Sequence, residues 1–179
     1  HNEANPTEIP SAILTRLINE AIKDISPKLN IVKSTTLTFT DGVASLPSDF
    51  LSVIEVLDDD THLMQIDDIR DRADTDGYAT QFYIPNNTQI YIYGTTLQGT
   101  ATLWYNAYEA VLNDDTDIPL NIPQELHSAI AEYYVKAKHK QRDNKLYDSN
   151  QLMNLWEQVK LRAFAITFNN RTVEDDDLY

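Results

Sequence analysis

The sequence predicts an α+β protein: a helical bundle, made of an N-terminal helix and a C-terminal helical hairpin, with a small antiparallel β subdomain inserted between them and an extended C-terminal tail. Three observations carry this expectation. Apolar residues recur at three- and four-residue steps in three separate stretches. Between the first and second of these, β-branched and aromatic residues take over, with turn residues every eight to twelve positions. The entry into that region is spelled out as Asp41-Gly42-Val43-Ala44-Ser45-Leu46-Pro47-Ser48-Asp49-Phe50: a tight Asp-Gly turn, a short strand, and a proline-containing bend that delivers Phe50 into an apolar strand, Leu51 to Leu57.

The first helix places Ile13, Leu14, Leu17, Ile18, Ala21, Ile22 and Ile25 on one stripe. Thr7 or Ser11 is expected to cap it, Pro10 fits a first turn because its missing N–H has no helical partner there, and Pro27 is expected to stop the far end. From Ile31 to Ala110 the period changes. Val32, Leu37 and Phe39 lie in a Thr-rich segment. Val53, Ile54, Val56 and Leu57 form a more continuously apolar one, as in a strand with little solvent exposure. Phe82 to Ile84, Ile90 to Tyr93 after the Pro85-Asn86-Asn87 turn, and Thr100 to Tyr108 complete a small sheet or barrel, and Asp67 to Asp76 reads as a short surface helix or loop. The five tyrosines Tyr83, Tyr91, Tyr93, Tyr105 and Tyr108 are expected on alternating faces of that sheet.

After an Asp- and Pro-rich linker, Leu126, Ala129, Ile130, Tyr133 and Ala137 form a second helical stripe, and Leu152, Leu155, Trp156, Val159, Ala163 and Ile166 a third. The break between them is expected near Asp148-Ser149-Asn150. Two helices with a short link form an antiparallel hairpin. Asn169 to Tyr179 shows no period and closes on Glu174-Asp175-Asp176-Asp177-Leu178-Tyr179, the composition of a tail that is disordered or ordered by a partner. The expected organisation is one domain over residues 1–168 (helix 1–30, β subdomain 31–112, linker 113–123, hairpin 124–168) and a docking tail, 169–179.

Twenty-eight acidic residues stand against fourteen basic ones, a formal charge of −14. That balance argues against non-specific grip on DNA or on anionic lipid, both of which need cations to neutralise phosphate. Residues 1–123 hold nineteen acids and six bases, residues 124–168 five and seven, residues 169–179 four and one, so one weakly basic segment lies inside an acidic chain. Cysteine is absent, which leaves packing or assembly to hold the fold. No apolar run approaches the roughly 20 residues that cross a bilayer, and no basic-then-apolar leader opens the sequence, so a soluble chain with no membrane partner is expected.

Chemistry-bearing patterns are weak. Asp58-Asp59-Asp60 and Asn113-x-Asp115-x-Asp117 group hard oxygens as Ca²⁺ or Mg²⁺ requires, but Ile118 and Gln124 stand where a calcium loop needs its turn glycine and bidentate glutamate. His1, His62, His127 and His139 are scattered, with no Gly-x-Ser-x-Gly elbow and no cysteine nucleophile. Four glycines leave no phosphate-cradling loop. No catalytic, metal or cofactor site is therefore expected. The candidate residues are for partner binding: Lys136, Lys138, Lys140 and Arg142 near the end of the second helix, with Arg171, Asp175, Asp176, Asp177, Leu178 and Tyr179 of the tail. The helix cations read first as a solvated helix terminus, next as a contact for a neighbouring protein chain, and last as a DNA contact.

The N-terminal helix, Asp41-Gly42, Leu46-Pro47-Ser48-Asp49-Phe50 leading into Val53-Ile54-Glu55-Val56, Tyr83-Ile84 with Ile90-Tyr91-Ile92, Thr100-Ala101-Thr102-Leu103-Trp104-Tyr105, and Ile122-Pro123-x-Glu125-Leu126-His127 together resemble the head-to-tail adaptor (connector) proteins of tailed bacteriophages, over residues 10–168. The order and spacing of these short motifs carry the likeness. The resemblance implies a structural virion protein without chemistry or cofactor. It further implies a homo-oligomeric ring, usually dodecameric, beneath the portal protein, extending the DNA channel and carrying tail, nozzle or stopper proteins. It places the chain in the virion, in its neck or tail, and in host cytoplasm during assembly, with genomic DNA passing through the channel without specific binding. A tail-tube or tail-completion ring is the neighbouring alternative, and a Ca²⁺-dependent binding or enzymatic module using the Asp clusters is the alternative of another class.

Overall fold

In a computed structural model, residues 9–71, 80–93, 98–113 and 117–175 are described, the side chains of residues 71, 98 and 166–175 excepted. The chain packs as two units: residues 31–108, and residues 1–30 together with 109–179.

In the first unit, eight strands among the described residues form one sheet: β1 (Val32–Thr40), β2 (Val43–Ser45), β3 (Phe50–Asp58), β4 (Thr61–His62), β5 (Met64–Gln65), β6 (Gln81–Asn86), β7 (Gln89–Tyr93) and β8 (Gln98–Ala107). Their spatial order is β4-β3-β8-β1-β2-β7-β6-β5. The Asp-Gly turn is as the sequence predicts: Asp41 at φ 51° and Gly42 at φ 79° both occupy the left-handed region, the conformation of a two-residue hairpin turn, and Thr40 pairs Val43 across it. The proline bend is closed by the Phe50 N–H donating to the Pro47 carbonyl at 3.0 Å. β8 is the spine, antiparallel to β1 from Val32↔Asn106 to Thr40↔Gln98 and to β3 on its other side. Alternation then builds the core, with Leu37, Phe39, Val56, Ala101, Leu103, Tyr105 and Ala107 all buried.

The expectation of a small, purely antiparallel subdomain is overturned. The sheet is large and mixed, because β5 pairs in parallel with β6 (Met64↔Gln81, Gln65↔Phe82). Strands of two residues carry no periodic signal, which is why β4 and β5 escape a reading of the sequence. They also close the sheet. Eight strands laid flat at about 4.8 Å spacing would put their edges roughly 34 Å apart. Yet the edge strands β4 and β5 are separated in the chain by Leu63 alone, so the sheet curls until its edges meet there. A second correction concerns β3. Ile54 is 49% exposed, and register shifts at Phe50/Ser52 and Val53/Glu55 break the ladder, so its apolar run marks irregular pairing rather than burial on both faces.

The second unit contains α1 (Ser11–Leu29), a continuous helical rod of α2 (Gln124–Ala129), a π segment (Ile130–Val135) and α3 (Lys136–Arg142), and α4 (Leu146–Asp175). The α1 stripe is buried at Leu17, Ala21, Ile22 and Ile25. Of the two expected caps, Thr7 lies outside the described residues and Ser11 is the first residue of the helix, behind Pro10, which holds the cap position and has no side-chain cap bond. Pro27 does not stop the helix either. It sits in the last turn, where one missing N–H is tolerated, and the chain leaves the helix at Asn30 in the left-handed conformation, φ 51°.

The hairpin break also moves. It falls at Asp143-Asn144-Lys145, with Asn144 at φ 59°, and residues 148–150 lie in the first turns of α4. Ser149 is not a turn residue; its buried hydroxyl donates to the Ala137 carbonyl at 2.9 Å across the hairpin. The second stripe is buried as expected at Leu126, Ala129, Ile130 and Ala137, and departs from expectation only within the π segment. Its wider turn carries Tyr134 and Val135 inward and leaves Tyr133 half-buried. Among the described side chains of α4 the buried positions are Ser149, Trp156 and Ala163, seven residues apart, with Leu152 and Val159 half-buried and Leu155 40% exposed; Ile166 lies outside the described side chains. The helix continues through residues 169–175, which the sequence assigns to an extended tail; extending an existing helix costs little even without an apolar face. Residues 176–179 lie outside the described residues.

Candidate docking surface

Three polar clamps fix the helical unit. The Asn19 amide brackets the backbone of Leu112, donating to its carbonyl at 2.9 Å and accepting its N–H at 2.8 Å. The buried Ser26 hydroxyl donates to the Ile22 carbonyl at 2.6 Å and accepts the Glu109 N–H at 3.1 Å. The Glu109 carboxylate, also buried, accepts the N–H groups of Leu120 at 3.3 Å and Asn121 at 3.0 Å. The linker that looks loose in sequence is thereby tied to α1 from Glu109 onward. Asp24 joins α1 to α4: it accepts the Trp156 indole N–H at 2.7 Å and pairs with Lys160 at 3.0 Å. Burial pulls the Lys160 pKa down, but its bonds to Glu157 and Asp24 outweigh this and hold it above the ordinary lysine value. Tyr134 stacks edge-on against Trp156 with ring centroids 5.5 Å apart. Its own pKa is raised, by burial first and then by Glu20 and Asp24.

Between the start of α1 and α3 this scaffold leaves a groove of about 400 Å³. Ile9, Ile13 and Leu17 form its apolar floor, with Arg16 and Glu20 beside them; α3 adds Lys138, His139, Gln141 and Arg142. Arg16 reaches Glu20 at 3.1 Å, and the Lys138 ammonium lies 5.2 Å from the Tyr134 ring centroid. Arg142 is exposed and forms no ion pair among the described residues. Three cations against one carboxylate make the groove electropositive on a chain of formal charge −14.

The four α3 cations of the sequence reading are therefore not one patch. Lys138 and Arg142, one helical turn apart, line the groove. Lys140 points to Asp148 at 4.0 Å, and Lys136 is exposed without an ion pair among the described residues. Arg171 and Asp175 lie in the last turns of α4, away from the hairpin turn, while Asp176, Asp177, Leu178 and Tyr179 fall outside the described residues. The α1 side of the groove, above all Arg16, carries no sequence signal, because an amphipathic helix with one exposed arginine is ordinary.

The other polar candidates are dispersed. His62 contacts Glu55, His127 the Ile122 carbonyl, and His139 lies 3.5 Å from Asp143. Asp59 and Asp60 occupy the β3–β4 turn, and Asp117 accepts the Asn113 N–H at 2.6 Å. Asp114 and Asp115 lie outside the described residues. Among the described residues no three His, Asp or Glu side chains converge on a possible metal position.

The family model for the SU10 adaptor protein matches residues 2–176. The chain belongs to that family. Its members are bacteriophage head-to-tail adaptors, which makes this chain a viral structural protein of the virion neck. The match takes in both units, including the region from Thr61 to Gln65 that closes the sheet and the helical extension beyond residue 168, so the likeness reaches further than the residues 10–168 legible in sequence motifs. No curated protein matches the chain.

Proposed function

We propose that the chain assembles head to tail into a ring, dodecameric as the adaptor resemblance implies, beneath the portal of a DNA-filled capsid. There it extends the DNA channel and presents the attachment platform for tail, nozzle or stopper proteins. The observation that carries this reading is the match of an adaptor family over residues 2–176, which accounts for nearly the whole chain without a catalytic part. Two physical features support it. A ring needs a heterologous interface, in which one patch meets a different patch on the next copy; an electropositive groove on a strongly acidic chain supplies one half of such a pair. A DNA conduit must also let DNA slide, and a wall with few cations releases few counterions and holds phosphate weakly. The role is structural, in host cytoplasm before assembly and in the virion afterwards.

The test is mass by light scattering, first of the purified chain and then after mixing with portal-bearing, DNA-filled capsids, followed by co-sedimentation. The chain is expected to co-sediment with capsids carrying portal and to be absent from pellets of capsids lacking it. Equal recovery with both would overturn the portal-directed role.

A further inference from the structure

The groove between α1 and α3 is lined by the helical unit alone, with Ile13 and Leu17 as its floor and Arg16, Lys138 and Arg142 on its walls. Arg16 holds Glu20, but Lys138 and Arg142 form no ion pair among the described residues. They lie four positions apart on α3, which puts their Cβ atoms about 6 Å from each other. The groove thus offers two cations, one helical turn apart, that this unit does not neutralise.

The sheet unit carries the converse. Asp58, Asp59 and Asp60 follow one another where β3 turns into β4, the only run of three acids among the described residues, and none of them forms an ion pair there. Pairing of Asp58 with Thr61 makes Asp59-Asp60 a two-residue turn, with both residues exposed at its tip. The turn itself does not ask for this composition. Asp59 sits at φ 50°, where Gly or Asn is at least as well accommodated, and adjacent carboxylates repel one another. The base of such a turn is about 5.5 Å across, which matches the spacing of the two cations and fits a groove of about 400 Å³. A ring contact is heterologous, so the groove and its occupant have to be different surfaces of one chain. Charge selects the acidic turn as that occupant.

We propose that the Asp58–Asp60 turn of one copy docks in the α1/α3 groove of the next, with Lys138 and Arg142 holding the carboxylates and Arg16 shared with Glu20. The inference rests on the self-assembly given under the proposed function and deepens it by naming both halves of one interface. Sheet unit meets helical unit in one direction only, so the contact propagates from copy to copy and closes when the rotation permits a ring. Exposed ion pairs over a small apolar floor make each contact weak and salt-sensitive, so the interface fills when copies are held side by side on a template.

The chain has no cysteine, so single engineered ones report one contact at a time. Thr61→Cys, beside the turn, and Gln141→Cys, in the groove, are made in separate preparations of the full chain, leaving every charge in place. The two are mixed and mildly oxidised, alone at the highest soluble concentration and bound to portal-bearing capsids. A disulfide between the two preparations joins different copies by construction. It is expected to form in at least one of the samples, well above the level given by either preparation with Glu125→Cys, an exposed position on α2. Adding Lys138→Glu and Arg142→Glu to the groove chain should lower the yield about tenfold, equivalent to about 1.4 kcal/mol. Adding Asp58→Lys and Asp60→Lys to the turn chain should then restore it, an outcome a merely misfolded groove would not give. A yield no higher than the Glu125→Cys control in both samples, or one indifferent to the charge reversals, would overturn the proposal. So would protection of the Gln141→Cys thiol on capsids without the disulfide, which would assign the groove to a capsid protein. Capsid-bound copies lacking the disulfide would sink this interface and leave the adaptor reading standing. The charge-dependent disulfide in a chain that ignores capsids would do the reverse.

Discussion

The sheet unit and the helical unit are held together by different means. In the sheet unit cohesion is spread along main-chain ladders, β8 pairing β1 over its full length and β3 on its other edge, with apolar residues alternating inward. Among the side-chain bonds of its described residues, Tyr105 donates to Asp49 at 3.1 Å, itself paired with Lys33. In the helical unit a handful of side chains carry long-range order: Asn19, Ser26 and Glu109 hold the linker, and Asp24 and Trp156 join the first helix to the last. A ladder tolerates single replacements because each residue contributes a small share. A clamp does not, because its loss strands buried partners. The helical unit is thus the one in which single residues decide structure, and it is also the one that carries the groove.

The largest effect should come from Trp156→Ala. The residue is fully buried and bonded to Asp24, and its truncation is expected to cost about 3–5 kcal/mol. Denaturation followed by helix-specific and sheet-specific hydrogen exchange should show the loss concentrated in residues 11–29 and 124–165; equal loss in the sheet would break the contrast between the units. Next, Glu109→Ala leaves the N–H groups of Leu120 and Asn121 without their acceptor and is expected to cost about 1–3 kcal/mol in the same melt, with faster exchange at those two amides.

Gly42→Ala tests the sheet at its most constrained backbone position. At φ 79° a side chain is strained, and about 1–2 kcal/mol should be lost with no change in the helical amides. Tyr105→Phe should cost about 1 kcal/mol at neutral pH, and it sharpens the contrast through alkaline behaviour. Burial, and then the hydrogen bond and charge of Asp49, push the Tyr105 pKa up to about 12. A proton held more tightly folded than unfolded stabilises the fold fully below the ordinary tyrosine range near 10, and that stabilisation fades as pH rises through 12. The wild-type sheet should therefore weaken between about pH 10 and 12, and the phenylalanine variant should lose that step. The smallest effect is expected from Arg16→Ala. Its exposed pair with Glu20 contributes about 0.5 kcal/mol or less, so a near-unchanged melt beside weakened assembly would separate docking from folding.

What the sequence revealed follows the same division. Local chemistry was legible: Asp41-Gly42 demands a turn with positive φ, Pro47 a bend, and the stripes of α1 and α4 place Ile22, Ile25, Trp156 and Ala163 inside. Features set by tertiary context were not. Pro27 and Asp148-Ser149 looked like helix ends, yet a proline near a helix terminus loses one bond only, and Ser149 finds its partner on the facing helix. Within the π segment Tyr134 takes the buried place expected of Tyr133, a local change no periodic template anticipates, while Ala137 beyond it is buried as expected. Closure of the sheet at Leu63 depends on two-residue strands. The cations of the docking surface were visible as a charge run. Their division into Lys138 and Arg142 in the groove and Lys140 toward Asp148 required the hairpin to be in place.

The most direct measurement is electron microscopy of tail-less, DNA-filled capsids incubated with the purified chain, reconstructed around the portal vertex. The account predicts a closed ring of this chain capping the portal, continuous from copy to copy. A bare portal, or chain bound only as scattered single copies elsewhere on the capsid, would contradict it.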